Sequence, residues 1–271
     1  MNNIIGIVAE KLGHSLSPYI HNYWSKKYKQ KLQYQKFEVS EKHLDKFFQS
    51  FKKNKKIKGF NVTIPYKTNF ISLCDRITPK AKKIGSVNLV YKKNNLIIGD
   101  NTDVIGFEKS FKQFKNVPSN KVLLIGAGGA ARSILYYLNH KNIENIDVFA
   151  TSFRRKEDIC NDFVINSFVT KTSLLKTKYD LIINSSSGGM VGKSPLNRNL
   201  IKLVDSSKGV IDIVYNPETT PLLNRAEKNN IPFVGGLTML IEQAKPSYEK
   251  WSNLKIKVDD EIYQLARNKL K

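Results

Sequence analysis

Three groups of short polar side chains stand where chemistry could be done. In Ser15-Leu-Ser17-Pro18 the proline suits a first helical position and Ser17 the N-cap before it. Two hydroxyls in alternate positions, together with free N–H groups and the helix dipole, would take a small carboxylate; a simple cap is the plainer reading. In Asn61-Val-Thr63-Ile-Pro65-Tyr-Lys67, period-two spacing puts Asn61 and Thr63 on one strand face, and Lys67 follows the proline where the chain turns into a helix. An exposed strand face would also account for Asn and Thr. The third group is Asn88 with Gly99-Asp100-Asn101-Thr102-Asp103, which has more polar side chains at a helix start than capping needs. That excess suits a polyhydroxylated ligand whose hydroxyls donate to carboxylates.

A fourth feature is a glycine turn. Val122 to Ile125 read as a strand buried on both faces, and they run into Gly126-Ala127-Gly128-Gly129-Ala130-Ala131, after which Arg132–Leu138 has helical spacing. A dinucleotide pyrophosphate needs this order: N–H groups at a helix N-terminus, a turn without Cβ atoms, and a small residue where helix meets strand. The next strand, Ile146–Phe149, runs out into Ala150-Thr-Ser-Phe-Arg154-Arg155-Lys156. No carboxylate waits at its tip for the ribose hydroxyls, as NAD would require. The guanidinium forks of Arg154 and Arg155 suit an additional phosphate, as in NADP, with a solvated basic turn as the alternative.

The elements that must position these groups alternate. In the first hundred residues, Ile4–Val8, Tyr34–Val39 and Phe60–Ile64 read as strands, while Pro18–Tyr28 and His43–Lys53 read as helices. A hairpin of Val87–Tyr91 and Leu96–Ile98 turns at Asn94-Asn95, and a helix capped by Asn101 or Thr102 runs to about Phe114 as a bridge between domains. Beyond the glycine turn, Tyr179–Asn184, Gly209–Val214 and Phe233–Val234 are strands. Thr220-Pro221 opens a helix ending near Lys228, Gly235-Gly236 opens the helix Leu237–Trp251, and a last helix covers Asp259–Lys269. This predicts an α/β protein with a doubly wound parallel sheet.

With 271 residues, 41% of them hydrophobic, the chain can fill one large core or two modest ones. Cys74 and Cys160 have no partner spacing, and the N-terminus lacks the apolar run of a signal or membrane segment, so a soluble protein of a reducing cytoplasm is expected. His14, His21, His43 and His140 show no metal-ligand spacing, and no metal is expected. The formal net charge of +22 raises the question of nucleic acid, but the basic residues are scattered without interleaved aromatics and read as a solvated surface.

Taken in order, the segments Ser-x-Ser-Pro at 15–18, Asn-Val-Thr-Ile-Pro-Tyr-Lys at 61–67, Val-Asn at 87–88, Asp-Asn-Thr-Asp at 100–103, Gly-Ala-Gly-Gly-Ala-Ala at 126–131, Asp-Ile-Val-Tyr-Asn-Pro at 212–217 and Gly-Leu-Thr-Met-Leu-Ile-Glu-Gln-Ala at 236–244 resemble the shikimate dehydrogenase family over nearly the whole chain. The resemblance implies NADPH-dependent reduction of 3-dehydroshikimate to shikimate on the route to chorismate and aromatic amino acids, in a monomer or homodimer. It implies a substrate domain over residues 1–102, a Rossmann-type NADP domain over 103–237, and helices over 238–271 that return to the substrate domain. Ser15 and Ser17 would hold the substrate carboxylate. Asn61, Thr63, Asn88, Asp103 and Gln243 would meet ring hydroxyls, with Tyr215 nearby and Lys67 and Asp103 as the catalytic pair. The cofactor would lie on Gly126 to Ala131, Ser152, Arg154, Arg155, Ile213 and Gly236.

Two segments depart from the family pattern. Its usual Asn-Arg-Thr aligns with Ala150-Thr151-Ser152, which leaves Arg155 as the matching basic position and Arg154 as a substitute; its Asn-Ala-Thr-Ser reads Asn184-Ser-Ser-Ser187. A lysine is cationic at neutral pH, so Lys67 would stabilise and protonate the oxygen of a ketone receiving hydride, with Asp103 orienting it. An NAD-dependent quinate/shikimate dehydrogenase and a non-catalytic Rossmann-type binding module are the alternatives.

Overall fold

The structure is a computed structural model that describes residues 3–13, 15–114, 116–175 and 178–270; His14 lies outside the described residues. The chain divides into two compact units, one holding the chain up to Asp103 together with Ile241–Lys269, the other Val104–Leu240.

The first unit is built on strands β1 (Asn3–Ala9), β2 (Leu32–Glu38), β3 (Ile57–Val62), β4 (Arg76–Ile77), β5 (Leu89–Lys93) and β6 (Leu96–Asp100), in the spatial order β2-β1-β3-β5-β6-β4. Strand β1 pairs parallel with both β2 and β3, whereas β3 to β5 and β5 to β6 are antiparallel. The β5–β6 turn holds Asn94 and Asn95 at φ 51° and 62°, the left-handed pair of a tight hairpin that asparagine tolerates. One face of the sheet is covered by a phenylalanine cluster, with Phe51 and Phe60 ring centroids 4.8 Å apart and Phe60 and Phe70 5.5 Å apart. Elsewhere the helices Ser17–Lys27 and Gly236–Ser252 bring Trp24, Tyr248 and Trp251 together around His21. Gly59 makes room there: a Cβ would sit 2.3 Å from Trp251 Nε1, which donates to the Val90 carbonyl at 3.2 Å.

The second unit carries strands β7 (Val122–Ile125), β8 (Ile146–Phe149), β9 (Ser167–Val169), β10 (Leu181–Asn184), β11 (Gly209–Asp212) and β12 (Phe233–Val234). All pair parallel, in the order β12-β11-β10-β7-β8-β9 expected of a doubly wound sheet. Continuous apolar strands are what a sheet covered on both faces requires. In β7, Val122 and Leu124 join one core with Ile134 and Leu138 of the helix Gly129–His140, while Leu123 and Ile125 join another with Leu200 and Leu222.

Several boundaries differ from the sequence expectation, for local reasons. Strand β3 stops at Val62, not Ile64, because the chain reverses: Tyr66 N–H donates to the Thr63 carbonyl across the cis Ile64–Pro65 bond. The helix from Asp103 ends at Phe111 rather than about Phe114, after which Gln113 and Phe114 close tighter turns onto Ser110 and Phe111. Strand β11 ends at Asp212, not Val214, because the Asp212 carboxylate accepts from Val214 N–H at 3.0 Å and bends the chain away. Strand β10 starts at Leu181 rather than Tyr179, where Asp180 and Leu181 N–H groups both donate to the Lys121 carbonyl. The short helices Pro79–Ile84 and Lys156–Asp162 and strand β9 were not expected. No helix among the described residues is long and apolar enough to cross a membrane.

Candidate active site

In the first unit, the chain brings Lys67, Asn88, Thr102, Asp103 and Gln243 into one hydrogen-bonded web. Lys67 follows the turn at Pro65, and its carbonyl is held by Val87 N–H at 2.8 Å. Asp103 is the first residue of its helix, so its carboxylate sits against a helix N-terminus. The ammonium of Lys67 donates to Asp103 Oδ2 at 2.6 Å, with the side chains only 13% and 6% exposed. Removal of water strengthens such a pair, and the ammonium keeps further donors beyond the one given to Asp103.

Asn88 organises the surroundings. Its Nδ2 donates to Asp103 Oδ1 at 2.8 Å, Thr102 Oγ1 at 3.0 Å and Gln243 Oε1 at 3.2 Å. Its Oδ1 accepts from Thr102 N–H at 2.7 Å, which fixes the start of the Asp103 helix. Asn61, beside it on β3, donates from Nδ2 to the Asn88 carbonyl at 3.1 Å and to Ser247 Oγ at 3.0 Å. Thr63 lies just past the strand, half-buried, with its N–H on the Val8 carbonyl. Asp100 and Asn101 serve the scaffold: Asp100 accepts from Thr78 Oγ1 at 2.7 Å, and Asn101 Nδ2 donates to the Ser86 carbonyl at 3.0 Å.

The serines are arranged differently from the sequence expectation. Ser17 is the first helical residue and Leu16 takes the N-cap position without a side-chain cap. Ser15 Oγ instead accepts from Ser17 N–H at 3.4 Å. A hydroxyl two residues ahead can meet a free helical N–H in this way, so the two serines still stand together at a helix start.

In the second unit, the glycine turn has the form of an anion cradle. Gly126 has φ +107°, and a Cβ there would lie 2.7 Å from Ser185 Oγ, so only glycine fits without strain. The helix begins at Gly129 with Gly128 as N-cap, which leaves its first N–H groups for a ligand. Ala131 is fully buried. Arg155 reaches over this turn, Nη1 donating to the Ala127 carbonyl at 3.4 Å, whereas Ser152 and Arg154 are exposed.

At the C-terminal ends of β10 and β11, Asp212 is wholly buried and accepts from Asn184 Nδ2 at 2.9 Å, Val214 N–H and Thr220 Oγ1 at 2.7 Å. Burial outweighs those donors and pushes its pKa up to about 6. This junction shapes the segment carrying Ile213 and Tyr215. Gly236 packs against the same segment, where a Cβ would be 2.3 Å from the Ile213 carbonyl oxygen. Among the described residues, no group of His, Cys, Asp and Glu is placed to hold a metal ion.

Sequence reasoning missed Tyr34 and Ser247, which hold Asn61, because a strand tyrosine and a mid-helix serine carry no motif. It also singled out Asp100 and Asn101 together with the residues that face the web.

Two family models match the chain: the shikimate dehydrogenase substrate binding domain over residues 7–90 and shikimate / quinate 5-dehydrogenase over residues 108–233. A shikimate dehydrogenase (NADP(+)) of Clostridium beijerinckii is 36% identical, covering 98% of both chains. Among solved structures, a chorismate mutase/shikimate 5-dehydrogenase fusion protein from Clostridium acetobutylicum superposes with TM-score 0.87 at 35% identity, covering 100% of this chain and 99% of that one. The shikimate 5-dehydrogenase of Thermus thermophilus in complex with NADP(H) and shikimate gives TM-score 0.83 at 25% identity, covering 99% of this chain and 100% of that one.

Proposed function

The chain belongs to the shikimate dehydrogenase family, and on that premise we propose that it catalyses the reversible NADPH-dependent reduction of 3-dehydroshikimate to shikimate. The observation that carries this reading is the Lys67–Asp103 pair, 2.6 Å apart and almost dry, set among amides and hydroxyls rather than in the apolar core. Reduction of a ketone puts negative charge on its oxygen, and a pre-positioned ammonium both stabilises that charge and delivers the proton. Asp103 holds the Lys67 amine in place and accepts from the neighbouring ring hydroxyl. In the oxidative direction the same amine takes the proton back. Ser15 and Ser17 bind the carboxylate, and Asn61, Thr63, Asn88, Gln243 and Tyr215 bind the ring.

The glycine turn fits a dinucleotide, since Gly126 at φ +107° carries the chain from the end of β7 into the helix that starts at Gly129, whose first N–H groups face an anion at a helix N-terminus. Residues 126–131 would hold the pyrophosphate through N–H groups, Arg155 with Ser152 and Arg154 the extra phosphate of NADP, and Ile213 and Gly236 the other end. When bound, the nicotinamide supplies the hydride for reduction and accepts it in reverse. The residues up to Asp103 with those from Ile241 form the substrate domain on this reading, and the residues between form the cofactor domain. The enzyme works as a monomer or homodimer, without nucleic acid, in a reducing cytoplasm that keeps Cys74 and Cys160 as the free thiols they are here.

The test is a spectrophotometric assay with shikimate and each oxidised nicotinamide. The expected result is turnover with NADP at a higher kcat/KM than with NAD; absence of turnover with either overturns the assignment. Higher efficiency with NAD, or with quinate, would favour the NAD-dependent quinate/shikimate reading, for which the exposure of Arg154 is the supporting observation.

A further inference from the structure

Asn61 has a carboxamide whose orientation is forced. The Asn88 carbonyl can only accept, so the Asn61 atom 3.1 Å from it must be nitrogen. The same nitrogen faces Ser247 Oγ at 3.0 Å, and the Ser247 hydrogen is directed at the Gln243 carbonyl, 3.3 Å away. Asn61 Oδ1 is thereby turned to the Tyr34 hydroxyl, which donates to it at 2.8 Å. No other arrangement of the amide satisfies all of these groups.

Tyr34 is itself held on every side. It is 3% exposed, its backbone N–H donates to Asn22 Oδ1 at 2.8 Å, and its ring stacks on His21 with centroids 4.2 Å apart and planes 3° from parallel. His21 is fully buried, and that burial lowers its pKa to about 3, with the Asn61 side chain opposing, so the ring beneath Tyr34 stays neutral. A continuous path of contacts therefore runs from the aromatic core through Tyr34 and Asn61 to Asn88, whose amide holds Asp103.

We propose that Tyr34 is a positioning residue of the substrate site: its hydroxyl, with Ser247 on the opposite side, locks the Asn61 carboxamide in the one orientation that supports Asn88. This rests on the shikimate dehydrogenase reading above. Neither residue reaches the Lys67–Asp103 pair directly, so loss of either hydroxyl loosens substrate binding more than proton transfer.

The experiment compares Tyr34→Phe and Ser247→Ala with the parent chain, each also in an Asn61→Ala background. Tyr34→Phe keeps the ring stack and removes one buried hydrogen bond, so KM for shikimate should rise about five- to tenfold, with kcat within about twofold. KM for NADP should not move. In the Asn61→Ala background the same change should add less than about twofold, because the group it acts through is gone. An unchanged KM for shikimate in Tyr34→Phe, or an undiminished effect in the Asn61→Ala background, overturns the proposal. If Tyr34→Phe does not fold, Ser247→Ala carries the test, and a fall in kcat without a rise in KM there overturns it. A parent chain that does not turn over shikimate would instead refute the functional reading.

Discussion

In the unit that carries Lys67, a fully buried base, His21, stays neutral far into the acid range; in the unit that carries the glycine turn, a fully buried acid, Asp212, takes its proton early. Both are shifted by burial, yet with opposite consequences for stability. Below its unfolded value of 6.5, His21 is protonated only when the chain unfolds, so stability is lost as pH falls from 6.5 toward about 3. Asp212, raised from 3.8 to about 6, binds a proton in the folded state that the unfolded state releases, so stability is gained as pH falls through about 6. Acid therefore loosens one unit while it tightens the other. The same burial thus acts in opposite senses because it keeps a base from gaining charge and an acid from losing its proton.

The change expected to separate the units most is Lys67→Ala. It should lower kcat about a hundredfold or more, close to 3 kcal/mol, with a smaller change in KM, because the amine acts on charge that develops in the transition state. The NADP affinity of the glycine-turn unit, read by titration with the free nucleotide, should be unaffected; near-normal turnover would remove Lys67 from its role. Next in size is the acid response. Between neutrality and about pH 5, hydrogen exchange corrected for its intrinsic rate should show the His21 unit losing about 2 kcal/mol of protection. The Asp212 unit should gain about 1 kcal/mol over the same range. Equal losses in both would erase the contrast. Smaller than the Lys67 effect is that of Arg155→Ala, which should raise KM for NADP about tenfold while leaving KM for NAD and for shikimate nearly unchanged. An equal rise for the two nucleotides would place Arg155 on the turn without a part in their discrimination.

Much of the second unit was legible because its local and global signals agree. Val122–Ile125 are apolar throughout as a strand covered on both faces must be, and Gly126 occupies a left-handed position that only glycine takes easily. Strand β9 was not legible: Ser167-Phe-Val169 is too short to show a period. The helix Pro79–Ile84 could have been found, since Thr78 accepts from Ala81 N–H, Pro79 follows it, and Gly85 closes the end at φ 66°. The site was harder. Nothing in the spacing of Lys67 and Asp103 says that they meet, because the turn at Pro65 and the β5–β6 hairpin must both form before they do; the family resemblance named them as a pair. Ser17 was misplaced by one position because proline is tolerated at the second helical residue as well as the first.

Gly59 and Trp251 lie nearly two hundred positions apart in the chain, yet the indole occupies the space that the glycine leaves and bonds to the carbonyl of Val90. A chain emerging from the ribosome makes all six strands of its opening sheet long before it makes that indole. The domain started first is thus completed last, after the intervening one has had its whole sequence available for folding. Until then, the surface around His21 waits open in the nascent protein.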